Sequence, residues 1–287
     1  MNSGALKIII GSAFFALIPV GVKLAGPVGL APLLFGRLFI ASTAVYIQAK
    51  DRRLFFQLPT AAHIKLVVWA LMMLGAMLAY FQAIRLSGVA VSAALLGTQP
   101  ILILLLALLF LKEKITWPQW FLALLSVFGI VLMNDFGKQA GHSFYGVLLA
   151  LASAVLLSGI FIFQKKQMAE LSSNTLVFYQ CLYQLPFLLP FLWMNPVSLT
   201  SGFIGAILLL GIVCTAMAYR FIYSGVKTVE TYKIGVLQSV EYVLPVFIGF
   251  FVFHEELGLQ SVIGISLILL SCTLIQLQPS RPAGKPG

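Results

Sequence analysis

The sequence predicts an all-α integral membrane protein of ten transmembrane helices, arranged as two inverted five-helix repeats. Three observations predict it. The 287 residues are 61% hydrophobic and 9% charged, where a soluble domain carries roughly a quarter charged residues. Ten segments approach the roughly 20 apolar residues that a helix needs to cross the hydrocarbon core. Residues 89–133 also lie over residues 231–275 at a shift of 142, which sets Gln99 on Glu241, Pro100 on Tyr242 and Glu113 on Glu255.

The ten segments run over 5–24, 31–48, 64–84, 89–111, 117–134, 143–163, 174–194, 203–223, 232–253 and 259–277. The first begins almost at Met1, yet no small-residue cleavage pattern and soluble domain follow it, so it reads as a spanning helix rather than a signal peptide. Gly26-Pro27, Leu86-Ser87-Gly88 and Asn195-Pro196 are turn signals between spans. Breaks this short leave no room for a soluble domain. The longest runs from Lys50 to Ala62, where Leu54-Phe55-Phe56 suits the membrane interface. The stretch Asn134–Ser143 reads as the linker between repeats 5–134 and 143–277. The Pro- and Gly-rich tail 278–287 reads as a disordered cytoplasmic segment.

Lys and Arg set the orientation, because short cytoplasmic loops collect them. With the amino terminus inside, 14 of the 18 fall on the inner side, Lys23, Arg85 and Lys138 fall outside, and Arg37 lies within a span. An error of one helix would scatter this bias. It therefore supports ten spans, both termini in the cytoplasm and a cytoplasmic (inner) membrane. Five helices per half is an odd number, so the second half enters from the opposite side. The charged turn is basic in the first copy (Lys112, Glu113, Lys114) and acidic in the second (His254, Glu255, Glu256). Inverted repeats of this kind point to a transporter whose site lies between the halves near the bilayer midplane.

Other classes find little support. The net charge is +10, but the cations flank apolar runs and form no nucleic-acid face. Cys181, Cys214 and Cys272 lie inside apolar spans, with no spacing that suits a disulfide framework or zinc site. They read as small core residues. His63, His142 and His254 include no i, i+4 metal pair, and no Gly-x-Ser-x-Gly elbow or phosphate-cradling Gly loop occurs. No enzyme activity, metal or cofactor is expected.

The informative groups are polar residues inside spans, where a central charge costs about 2.5–3.5 kcal/mol even on the lenient insertion scale. Glu241 lies about ten residues into the ninth span and is the candidate proton-coupling group. Gln238, Glu241, Tyr242 and Pro245 follow an i, i+3, i+4, i+7 spacing that puts them on one helix face. Arg37 in the second span suits an anionic substrate group, a pairing with Glu241, or an outward-reaching stem. Gln99 is the repeat-mate of Glu241 and would face the same cavity. Pro100 and Pro245 are expected helix kinks. Tyr80 and Tyr219 correspond at a shift of 139, three residues fewer, which places the difference in the turn that follows. Tyr80, Gln82, Tyr179 and Tyr219 are candidates to stack on or hydrogen-bond a substrate. Glu113 and Glu255 lie at helix ends, where capping or complementing the next helix's dipole is expected. The glycines within spans suit close helix approach.

Taken together the chain resembles the drug/metabolite transporter superfamily, and within it the EamA-type ten-helix exporters. The first copy carries the resemblance in Ala93, Leu96, Pro100, Glu113 and Gly129. The second carries it in Glu241, Glu255 and Gly264, and Arg37 within Phe35-Gly36-Arg37-Leu38 is similar to the arginine of the family's second helix. The departures are Tyr242 after Glu241, with Pro245 three residues on, Ser271 in place of a Gly, and Phe14-Phe15-Ala16 in place of a Trp-Gly pair. The resemblance implies export of small metabolites, amino acids or related compounds, driven by exchange or a proton gradient. The expected partners are the lipid bilayer, a small-molecule substrate and protons, and a homodimer is left open. A channel-like facilitator and a non-transporting membrane scaffold stay as alternatives.

Overall fold

The computed structural model describes residues 3–49, 55, 57–87, 89–133, 143–193, 199–253 and 258–278. Among them regular structure is helical throughout. Without water, every backbone N–H and C=O must be satisfied within its own segment, and a helix does this. The first span is α1 (Ser3–Phe15) and α2 (Ile18–Ala25), and the second is α3 (Leu30–Gln48). The third is α4 (Thr60–Ser87); the fourth is α5 (Val89–Leu96), α6 (Gln99–Leu106) and a π-helical end, Ala107–Leu111; the fifth is α7 (Trp117–Met133). The second half follows with α8 (Phe144–Gln167) and α9 (Ser173–Trp193). Its eighth element is α10 (Ser201–Leu208), a π-helical stretch Leu209–Met217 and α11 (Ala218–Val226). The ninth is α12 (Thr231–Gln238) with α13 (Val240–Phe253), and α14 (Leu259–Leu277) is the tenth. Eight of these helices are long and apolar enough to cross a membrane. Trp117–Leu132 is a shorter apolar helix, and α12 with α13 completes the set. Residues 134–142 of the expected linker, the Lys50–Arg53 loop, Glu255 and residues 279–287 of the tail lie outside the described residues.

The packing follows the repeat. Its most extensive contacts join α4 to α8, α7 to α14, α1 to α11 and α3 to α9. In spans these are 3 with 6, 5 with 10, 1 with 8, and 2 with 7. A pseudo-twofold that relates span n to span n+5 exchanges the first and third of these pairs and maps the other two onto themselves. Spans 4 and 9 also meet, through α6 and α12. Small residues permit the closest approaches, as expected where lipid supplies no hydrophobic drive. A Cβ on Gly235 would lie 2.6 Å from the Pro100 Cα, and one on Gly129 would lie 2.7 Å from the Gly264 carbonyl oxygen.

The two shifts read from sequence locate an insertion. α4 ends at Ser87 and α11 at Val226, a difference of 139, whereas α5 starts at Val89 and α12 at Thr231, a difference of 142. The extra three residues therefore fall in the turn 227–230. That turn is well tied. Glu230 pairs with Lys233 at 3.3 Å, and the Lys227 ammonium donates to the Leu171 carbonyl. Burial lowers the Lys227 pKa from the usual lysine value. Gly4 lies against Thr228 and Val229, and Lys233 Nζ reaches the Gln278 carbonyl at 3.4 Å. Both described ends of the chain thus lie on the same side of the bundle, the terminal side.

That side is closely packed. Leu66, Trp69, Ile160, Met168, Leu176 and Tyr223 are fully buried. Trp69 Nε1 donates to the Ile160 carbonyl at 3.4 Å, and Gln164 Nε2 donates to the Tyr223 carbonyl at 3.1 Å. Thr231 Oγ1 donates to Glu113 Oε1 at 2.5 Å and accepts from Lys165 Nζ at 2.9 Å. Glu113 thus serves the N-terminus of α12, across the two halves, rather than the next helix α7. The three cysteines are free and buried, as their apolar settings suggested.

Candidate functional site

Repeat-related interruptions build the site. The fourth span breaks at Gly97-Thr98 and the ninth at Ser239, positions that coincide at the shift of 142. Each broken helix restarts with one of the expected polar residues in its first turn, Gln99 in α6 and Glu241 in α13. Pro100 sits in the first turn of α6, where its missing N–H leaves no intrahelical bond unmade. It therefore marks a helix restart rather than a kink within a continuous helix. Pro245, the other expected kink, lies outside the ninth-span break. α13 runs through that position, and the interruption lies at Ser239, six residues earlier. Ser239 Oγ bonds Ser126 Oγ at 2.6 Å and lies 3.2 Å from the Gly235 carbonyl. Side-chain hydroxyls thus supply polar partners at the break.

Around these breaks the structure gathers Arg37, Tyr80, Tyr219, Gln238, Glu241 and Tyr242. Glu241 lies deep in the bundle but keeps part of its surface accessible, as do Tyr80, Tyr219 and Tyr242. Tyr80 and Tyr242 lie within electrostatic reach of Glu241 and of each other. Tyr219 lies within reach of both Glu241 and Arg37. Its ring packs edge-on against Phe15 at 4.9 Å and stacks on Tyr223 at 5.2 Å. Gln99 is buried beside the fourth-span break. The Tyr242 hydroxyl lies within hydrogen-bonding reach of the Glu241 carboxyl, whereas Gln238 Oε1 is buried without a hydrogen-bond partner among the described residues. Native proteins leave few such groups, because each forfeits the full desolvation cost.

Arg37 is buried, at 7% exposure. Its Nε donates to Thr215 Oγ1 at 2.6 Å, and Nη2 donates to the Cys214 carbonyl at 3.3 Å. Thr215 Oγ1 in turn donates to the Leu210 carbonyl at 2.7 Å. Both partners of Arg37 come from the π-helical stretch Leu209–Met217, whose altered bonding pattern is frequent at functional sites. Arg37 therefore neither reaches outward nor forms an ion pair with Glu241 among the described residues. It is a buried cation oriented by two neutral acceptors. Thr215 was not expected from the sequence, and neither was Gln180, which accepts from the Tyr223 hydroxyl and lies near Tyr219, whose own hydroxyl donates to Met73 Sδ at 3.7 Å.

Two expected site residues fall elsewhere. Gln82 is exposed; two residues from Tyr80, it is turned by about 200° to another face of α4. Tyr179 is buried at 4% exposure, and its hydroxyl donates to the Phe55 carbonyl at 2.5 Å. It packs with His63 and Tyr183, each at 5.1 Å, toward the terminal side near the start of α9. His63 Nδ1 bonds the Tyr183 hydroxyl at 2.6 Å. This aromatic group closes the bundle end and adds nothing to the central cluster. Among the described residues no group of His, Cys, Asp or Glu is placed to hold a metal ion.

Spans related by inversion, broken where they cross, with polar groups gathered at the breaks, define a multi-pass membrane transport protein. The EamA-like transporter family profile matches residues 2–135 and again 144–277, and the chain belongs to that family. An uncharacterized transporter of Bacillus subtilis (strain 168), YwfM, is 25% identical over 281 residues, covering 94% of this chain and 93% of its own. An uncharacterized transporter of Archaeoglobus fulgidus is 27% identical over 287 residues, covering 94% and 96%. A solved crystal structure superposes with a TM-score of 0.84 over 96% of this chain and 97% of that one, at 20% identity. This last likeness shows the fold alone.

Proposed function

We propose that the protein is a secondary active transporter that exports small metabolites, amino acids or related compounds, across the cytoplasmic membrane. It works by alternating access, the halves 5–134 and 143–277 rocking about the crossing of the broken spans. Glu241 takes up and releases the coupling proton. Arg37, Tyr80, Tyr219, Gln99, Gln238 and Tyr242 contact the substrate, and the bilayer places both termini in the cytoplasm. The observation that carries this reading is the pair of polar groups beside Glu241, the unpartnered Gln238 Oε1 and the Tyr242 hydroxyl. They flank a carboxyl that keeps accessible surface deep between the halves. A substrate amine or hydroxyl would satisfy Gln238 Oε1, and Arg37 supplies a cation for a carboxylate. The close packing of Trp69 and Tyr223 on the terminal side supports a carrier over an open pore, since both are fully buried.

Proteoliposomes test the proposal. Uptake of candidate amino acids and nucleobases is followed with and without a pH gradient. Glu241→Gln is expected to abolish the stimulation by the gradient. Equal stimulation in variant and wild type removes the proton role. A carboxy-terminal reporter is expected to be active in the cytoplasm, and periplasmic activity contradicts the orientation.

A further inference from the structure

A polar cavity opens at the terminal-side ends of α1, α3, α9 and α11, with a volume of 540 Å³. Lys7 and Arg220 line it together with Gln48, Ser173, Asn174 and Ser224. Lys7 Nζ lies 3.2 Å from Ser224 Oγ, and Arg220 Nη1 lies 2.7 Å from Gln48 Oε1. Both cations are therefore oriented by neutral groups, and neither has a carboxylate partner among the described residues. An ammonium carries three donors and a guanidinium five, so one bond each leaves most of their donors for a ligand. Among the described residues no acidic side chain lines the cavity. Ser173 opens α9, a helix of 21 residues, whose N-terminal end adds partial positive charge. Met217 and Phe221 form an apolar wall beside these groups. A cationic, donor-rich floor next to an apolar wall, at the level where helices leave the membrane, suits an anionic head on an apolar or neutral body.

We propose that this cavity binds a phosphate group. Lys7 and Arg220 supply the charge, and the Gln48 and Asn174 amides with the Ser173 and Ser224 hydroxyls supply further hydrogen bonds. The phosphate comes from a lipid headgroup or from a soluble phosphate ester, and the site stands apart from the Glu241 cluster and its transport role.

The test uses the purified full-length protein in neutral detergent and reads the thermal unfolding midpoint against ligand concentration. The probes are dioctanoyl phosphatidylglycerol, glycerol 1-phosphate and, as the phosphate-free control, dioctanoylglycerol. Saturable stabilisation by at least one phosphate-bearing probe, and none by the control, is expected. Stabilisation by phosphatidylglycerol alone identifies a lipid site, and stabilisation by glycerol phosphate identifies a site for soluble esters. Lys7→Gln/Arg220→Gln is expected to weaken the apparent affinity at least about tenfold, the scale of lost bonds between charged groups. Lys7→Arg/Arg220→Lys, which keeps the charge, stays near wild type. Should the neutral double variant not unfold cooperatively, the single variants decide, each at about three- to tenfold weaker. Binding in the neutral variants equal to wild type, equal stabilisation by the phosphate-free control, or no effect of either phosphate probe overturns the proposal.

Discussion

Replacing Thr215 by Val should show that the π-helical stretch holds Arg37. Valine keeps the shape of threonine and deletes the hydroxyl. That hydroxyl accepts from Arg37 Nε at 2.6 Å and donates to the Leu210 carbonyl at 2.7 Å. A hydrogen bond to a charged group contributes about 1.5–3 kcal/mol, and one between neutral groups about 0.5–1.5 kcal/mol. Arg37 is only 7% exposed, so water does not fully replace the lost acceptor. The expected cost is about 2–4 kcal/mol. At about 2–4 °C per kcal/mol for a large chain, the midpoint should fall by roughly 4–16 °C. Thermal unfolding in detergent measures this directly. Thr215→Ser, which keeps the oxygen, should lose only the small packing term of one methyl. In an Arg37→Met background the Val substitution should cost much less, because the partner is gone; that difference is the coupling energy. A Val variant as stable as wild type, or a Ser variant as damaged as Val, refutes the assignment.

Other outcomes follow from the same geometry. Tyr242→Phe removes a hydroxyl beside the Glu241 carboxyl, so stability should fall by about 0.5–1.5 kcal/mol at most; transport KM should rise, and an unchanged KM would count against a substrate role. Gly235→Ala places a Cβ 2.6 Å from the Pro100 Cα, and forcing the crossing helices apart should cost about 1–3 kcal/mol, read as a lower midpoint. Glu113→Gln weakens the tie to Thr231 and Lys165; labels across the terminal side should report an increased open population by distance measurement, and an unchanged distribution would deny the tie that role. Gln82→Ala, at an exposed position, should leave transport at the wild-type rate in proteoliposomes.

The helices were legible because apolar length is a strong signal and turn residues punctuate it. The repeat was legible because Gln99 and Glu241 align at one shift, and Pro100 named one of the two breaks. Ser239 did not announce the other. A serine within an apolar run has no fixed meaning, and Pro245 drew attention away from it. Gln82 was avoidable, since residues two apart on a helix point to nearly opposite sides. Tyr179 was not, because a tyrosine six residues into a span fits an end seal and a binding site equally well. Thr215 could not be found by helical periodicity. The π-helical stretch around it changes the phase of every following side chain, and nothing in Leu-Leu-Gly-Ile-Val-Cys-Thr-Ala-Met marks where that begins.

The unequal turns have a kinetic meaning. A carrier with identical inverted halves could exchange their conformations and arrive at a mirror state of equal free energy. Here one residue separates α4 from α5, while four separate α11 from α12. The short strap must move its two helices together, whereas the longer one lets them part until its ties to Lys233 and Leu171 break. The degeneracy of the two states is therefore lifted by the chain itself. Under the proposed alternating access, the empty carrier would have a preferred resting side, and its forward and return strokes would run at different rates before any gradient is applied.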